Sequence, residues 1–144
     1  MPPVSAARLG VLIALPLTLF AAGAPAQVVV VGGPRTAVPE LSREQAEQLY
    51  LGRARTLPDG NAVSLADLPA GPTRDLFYEQ LTGKNPSQIR AHWSRMVFTG
   101  RALPPREVTD ADQLRSLVAA DPTLIGYLPA AAADGRVKIL LRLP

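Results

Sequence analysis

Apolar residues recur along the chain in short blocks whose period switches between two and about four. Val28 to Val31 is a run of four valines, β-branched and apolar throughout, which predicts a strand buried on both faces. Gly32-Gly33-Pro34 ends it. After Pro39-Glu40-Leu41 the spacing becomes helical: Ala46, Leu49 and Tyr50 stand at i, i+3 and i+4. Ser42 with Gln45 predicts a capping box, Leu41 occupies the hydrophobic-staple position, and Gly52 stands where a left-handed residue closes a helix. Arg53 to Leu57 reads as a loop and Pro58-Asp59-Gly60 as a turn. Partial alternation from Ala62 to Leu68 predicts a second strand.

Pro69-Ala70-Gly71-Pro72 interrupts the pattern. A helix capped by Gly71 or Thr73 then carries Leu76, Phe77 and Leu81 and closes at Gly83. Asn85-Pro86 is an N-cap followed by a proline at the first helical position, and it opens a helix with Ile89, Trp93, Met96 and Val97 on one face, ending near Gly100. Ala102-Leu103-Pro104-Pro105 is a rigid connection. Thr109 to Asp112 repeats the capping-box logic ahead of Leu114, Leu117 and Val118, and Asp121-Pro122 stops that helix. Leu124 to Leu128 predicts a buried strand, Asp134-Gly135 a turn, and Val137 to Leu143 a closing strand. The order β-α-β-α-α-α-β-β predicts an α/β domain with a small sheet flanked by helices.

The first 26 residues change the domain boundaries. Arg8 is their only charge and precedes an apolar run from Leu9 to Ala22, broken by Pro16 and followed by Ala24-Pro25-Ala26. Basic start, apolar middle and small-residue end together read as a secretory signal peptide cleaved after Ala26. The run is shorter than the roughly 20 residues that span a bilayer. The chain of 144 residues and net charge +3 then yields a domain of 118 residues, 27–144, with charge +2. The chain contains no cysteine, which suits a bacterial periplasm and excludes a disulfide framework, a thiolate metal site, a cysteine nucleophile and a lipoprotein anchor.

Candidate chemistry is sparse. No Walker loop or dinucleotide fingerprint occurs. His92 is the one histidine, too little for a multi-imidazole metal site or a catalytic relay, and reads as a partly exposed packing residue. Asp59, Asp67, Asp75 and Asp110 read as turn and cap residues. Asp110 with Asp112 lacks the further oxygen ligands of a calcium loop. No cofactor and no metal are expected. The segment Gly71-Pro72-Thr73-Arg74 differs because it opens a helix, where free backbone N–H groups and the positive dipole end attract an oxyanion. Thr73 adds a hydroxyl and Arg74 a bidentate fork. An ordinary cap with a surface arginine is the alternative reading.

Eight pieces in one order carry a family resemblance: Leu41-Ser42-Arg43-Glu44-Gln45-Ala46, Leu49-Tyr50-Leu51-Gly52-Arg53, Leu57-Pro58-Asp59-Gly60, Arg74-Asp75-Leu76-Phe77, Leu81-Thr82-Gly83-Lys84, His92 to Gly100, Pro104-Pro105 and Ile125-Gly126-Tyr127. From Pro39 to Leu128 the chain resembles small exported relatives of phosphate ABC-transporter substrate-binding proteins, and in particular the second lobe of a type 2 periplasmic-binding fold. The resemblance implies an exported α/β lobe related to phosphate uptake. Such receptors close two lobes on the ligand and use a Ser-Gly-Thr-type loop at a helix start. Here Gly71-Pro72-Thr73-Arg74 stands at the matching place, with the serine lost and a proline removing one backbone donor. The first lobe's loop has no counterpart, and a buried dianion needs donors on all sides.

Three readings follow. In the first, a periplasmic solute-binding-like protein holds phosphate or a similar oxyanion weakly at Gly71, Thr73 and Arg74, with Arg53 or Arg101 adding positive field. In the second, the lobe has no ligand and serves as an envelope protein–protein interaction module. The third, an enzyme, ranks lowest. Candidate partners are a small oxyanion, an envelope protein or transporter, and a second copy that would recreate the missing lobe. Mixed charges argue against nucleic acid, and the short apolar run argues against a stable membrane span.

Overall fold

The computed structural model describes residues 27–144 together with Pro2, Pro3 and Gly10, so the expected leader and its cleavage point lie outside the described residues. Ten elements follow one another: β1 (Val28–Gly32), α1 (Arg43–Tyr50), β2 (Ser64–Asp67), α2 (Pro72–Thr82), α3 (Pro86–Phe98), β3 (Arg106–Glu107), α4 (Ala111–Ala120), β4 (Leu124–Pro129), a 3₁₀ turn (Ala130–Ala132) and β5 (Lys138–Arg142). The five strands pair in the order β3-β2-β4-β1-β5. β2 runs parallel to both β3 and β4, while β1 is antiparallel to β4 and to β5. This is the α/β architecture expected from the alternation of periods, a small sheet flanked by helices.

Two details differ from the expected order. A two-residue strand, β3, occupies the edge next to β2, where only a rigid connection was expected. It is too short to show a period, and Pro104-Pro105 before it hides it further. A 3₁₀ turn also separates β4 from β5. The cap before α4 shifts as well: Asp110 is the N-cap, accepting from the Gln113 N–H at 2.8 Å, while the Gln113 side chain reaches back to the Thr109 N–H at 2.7 Å. The capping boxes at Ser42 and Asn85 form as their spacing demands.

The four valines of β1 are all buried, in the interior of the sheet between β4 and β5. Tyr50 of α1, Phe77 and Tyr78 of α2 and Tyr127 of β4 gather into one aromatic cluster, with Phe77 stacked on Tyr127 at 3.7 Å between ring centroids. Two glycines are required by geometry. Gly52 has φ +71, and a Cβ there would lie 2.8 Å from the Trp93 ring and 2.9 Å from the Ala102 methyl. It ends α1 in the left-handed region and lets α3 approach. A Cβ on Gly33 would lie 2.1 Å from the Val118 carbonyl oxygen, so only glycine lets the chain leaving β1 pass the end of α4.

Candidate functional site

Because β2, β3 and β4 run parallel, their carboxyl ends share one rim of the sheet, and α2 and α4 both start there. Ligand crevices of open α/β sheets lie outside the carboxyl ends of the strands. A groove of about 270 Å³ occupies this rim. Gly71, Pro72, Thr73 and Arg74 form one wall, Thr109, Asp110 and Ala111 the other, and Pro129 at the end of β4 lines it as well.

The two helix starts differ. Gly71 caps α2 with no side-chain bond to its first turn, and Pro72 contributes no N–H. The backbone N–H groups of Thr73 and Arg74 have no acceptor among the described residues, and the first bond of the helix is Asp75 N–H to the Gly71 carbonyl at 3.0 Å. At α4 the Asp110 carboxylate already occupies the helix end. The rim thus offers an anion one uncapped helix start facing one that carries its own carboxylate.

Arg74 is engaged on several sides. Its guanidinium stands 3.6 Å from the Asp67 carboxylate and 3.6 Å from Glu107, donates to the Leu68 carbonyl at 3.3 Å, and covers the Tyr78 ring. Asp67 closes β2, so β2 and β3 present the two carboxylates that hold this arginine. The sequence reading of Asp67 as a turn or cap residue is corrected here: it is buried and accepts hydrogen bonds from the hydroxyls of Tyr127 and Tyr78, the latter at 2.9 Å. The Tyr127 oxygen in turn accepts from the Leu68 N–H at 3.2 Å. Burial raises the Asp67 carboxyl above the ordinary carboxylate range, partly offset by the Tyr127 hydroxyl, Arg74 and the Tyr78 hydroxyl. Burial, and next the negative charge of Asp67, push the Tyr78 and Tyr127 hydroxyls upward, so both remain protonated donors at neutral pH. An acid within the apolar run Leu65-Ala66-Asp67-Leu68 is the signal the sequence offers.

Gly71, Thr73 and Arg74 line one groove. Arg53 and Arg101 do not join them; with His92 and Arg95 they line a separate hollow of about 590 Å³ at the C-terminal ends of α1 and α3. His92 is buried rather than partly exposed, and its Nε2 donates to the Leu51 carbonyl at 2.7 Å, since a carbonyl can only accept. The other acids behave as expected of turn and cap residues: Asp59 accepts from the Asn61 N–H at 2.9 Å, and Asp75 stands in the first turn of α2. Among the described residues no group of three His, Asp or Glu is placed to hold a metal, and no helix is long and apolar enough to cross a membrane.

No family model and no curated protein matches the chain. Solved structures do. A putative phosphate ABC transporter substrate-binding protein with bound phosphate from Clostridium perfringens is similar at TM-score 0.63 and 16% identity, over 80% of this chain and 44% of that one. A possible phosphate binding protein from Planctomyces limnophilus is similar at TM-score 0.59 and 12% identity, over 80% and 40%. An ABC-type phosphate transport receptor from Vibrio cholerae is similar at TM-score 0.55 and 15% identity, over 80% and 45%. The chain therefore has the fold of a part of phosphate-type substrate-binding proteins and spans less than half of their length.

Proposed function

We propose that this chain is an exported, periplasmic solute-binding-like lobe that holds phosphate or a similar oxyanion weakly at the start of α2. The observation that carries the reading is the pair of uncommitted N–H groups at Thr73 and Arg74 on the rim where β2, β3 and β4 end. The structural similarity to phosphate-type receptors supports the same class of ligand. Binding is weak because the Arg74 charge is already shared between Asp67 and Glu107 and the Asp110 carboxylate stands at the groove. Affinity in the millimolar range, about 4 kcal/mol, is the expected scale.

Calorimetric titration with phosphate tests this. Heat is expected from the parent at millimolar phosphate, with a partial loss in Arg74→Ala, which keeps the backbone N–H but removes the guanidinium, and in Thr73→Val. Circular dichroism checks that both variants stay folded. A folded parent that gives no heat removes the reading.

A second reading is favoured by the engagement of Arg74. A guanidinium paired with two carboxylates and a carbonyl is already satisfied, as in a lobe that has no ligand and acts as an envelope interaction module, with a transporter or a second copy among its partners. On this reading phosphate leaves both the heat and the melting temperature unchanged. Neither reading assigns the chain an enzymatic step.

A further inference from the structure

We propose that the end of α3 and the loop after it form a docking surface for an anionic phospholipid membrane. The charge distribution is the first observation. The chain as a whole carries only +3, yet residues 80–106 contain Lys84, Arg90, Arg95, Arg101 and Arg106 and no carboxylate, and residues 48–58 contain Arg53 and Arg55 and no carboxylate. The fold sets these two segments side by side: Arg55 donates to the Arg101 carbonyl at 3.0 Å, and His92 of α3 donates to Leu51 at the end of α1. Arg53, Arg95 and Arg101 line one hollow with no carboxylate in its wall, and none of the three is in an ion pair among the described residues. Two helix C-termini meet there, but each carries only about half a negative charge, less than three guanidinium groups supply.

The second observation is apolar. Phe98 is 93% exposed, Leu103 81% and Val97 48%, and these are the large apolar side chains the described surface leaves to water. Val97 and Phe98 line a hollow shared with Arg74 and Arg90 as well as Asp67 and Glu107, and Leu103 lines one with Arg55 and Arg106, so cations stand near each protruding apolar group. Protruding Phe and Leu flanked by arginines is the pattern that enters the headgroup boundary of a bilayer: the apolar tips reach the acyl layer while the cations meet lipid phosphates. Nucleic acid offers the phosphates but no apolar phase for Leu103 and Val97.

Co-sedimentation with vesicles tests the proposal, using phosphatidylglycerol-containing vesicles against pure phosphatidylcholine. The parent is expected to sediment with the anionic vesicles at low salt and to be released as salt rises. Arg95→Glu/Arg101→Glu is expected to lower the affinity at least about tenfold, and Phe98→Ser/Leu103→Ser to lower it by a similar factor, with melting temperatures near the parent's because all four side chains are exposed. The chain has no cysteine, so a Phe98→Cys variant takes one environment-sensitive dye, whose emission should shift to the blue only with anionic vesicles. Absence of sedimentation, equal binding to both vesicle types, no effect of either double variant, or retention by an acidic polypeptide or DNA without vesicle binding would each overturn the proposal.

Discussion

Phe77→Ala is expected to bring the domain close to unfolding at 25 °C. Phe77 is fully buried, and its ring stacks flat on Tyr127 at 3.7 Å while meeting the edge of Tyr50 at 4.8 Å. It joins α2 to β4 and α1, so truncation leaves a cavity that three elements must collapse around. Removing a buried phenylalanine costs about 3–5 kcal/mol, against a total stability of about 5–15 kcal/mol for a domain. Urea unfolding followed by circular dichroism should show the midpoint falling by more than about 1 M. A shift of a few tenths would mean that the aromatic cluster does not hold the helices to the sheet.

Asp67 carries the second large effect, and its size depends on pH. Asp67→Ala leaves the buried Tyr78 and Tyr127 hydroxyls without their shared acceptor, at about 1–3 kcal/mol each, and leaves Glu107 as the one carboxylate beside Arg74. Asp67→Asn keeps the shape and removes the titration. The folded carboxyl is raised above its unfolded value near 4 by burial. The stability linked to its proton is therefore fully present below about pH 4 and is lost as pH rises through the raised folded value. The parent should gain stability relative to Asp67→Asn on acidification and show no further change once the pH is well above that folded value. Asp121 and Asp134 at the surface have lowered carboxyls and the opposite pH slope, but they are present in both proteins and cancel in the comparison. A difference between the two proteins that is flat with pH would contradict the buried position of this carboxylate.

Local signals in the sequence were enough for most elements. The valine run of β1, the caps at Ser42 and Asn85 and the glycine stops at Gly52 and Gly83 are each decided within a few residues, and each forms where its pattern stands. What was not legible depends on contacts distant in the chain. β3 exists because its two residues reach Ala66 and Asp67, some forty positions earlier. Asp67 became a hub because Tyr127 lies 60 residues away, a distance no spacing rule covers. The same holds for the cations: charge alone groups Arg53 and Arg101 with the α2 start, whereas Leu51 and Gly52, just after α1, meet α3 and the two arginines line another hollow. Gly71, Thr73 and Arg74 were legible as a group because one helix start holds all three.

The groove at the start of α2 is tested most directly by a phosphate titration of the uniformly ¹⁵N-labelled chain, followed amide by amide. The expected result is that the Thr73 and Arg74 amides shift furthest, saturating in the millimolar range, with Thr109 to Ala111 following across the groove. The contradicting result is a chain whose Thr73 and Arg74 amides stay in place up to about 10 mM phosphate, or whose shifts gather at Arg53, Arg95 and Arg101 instead.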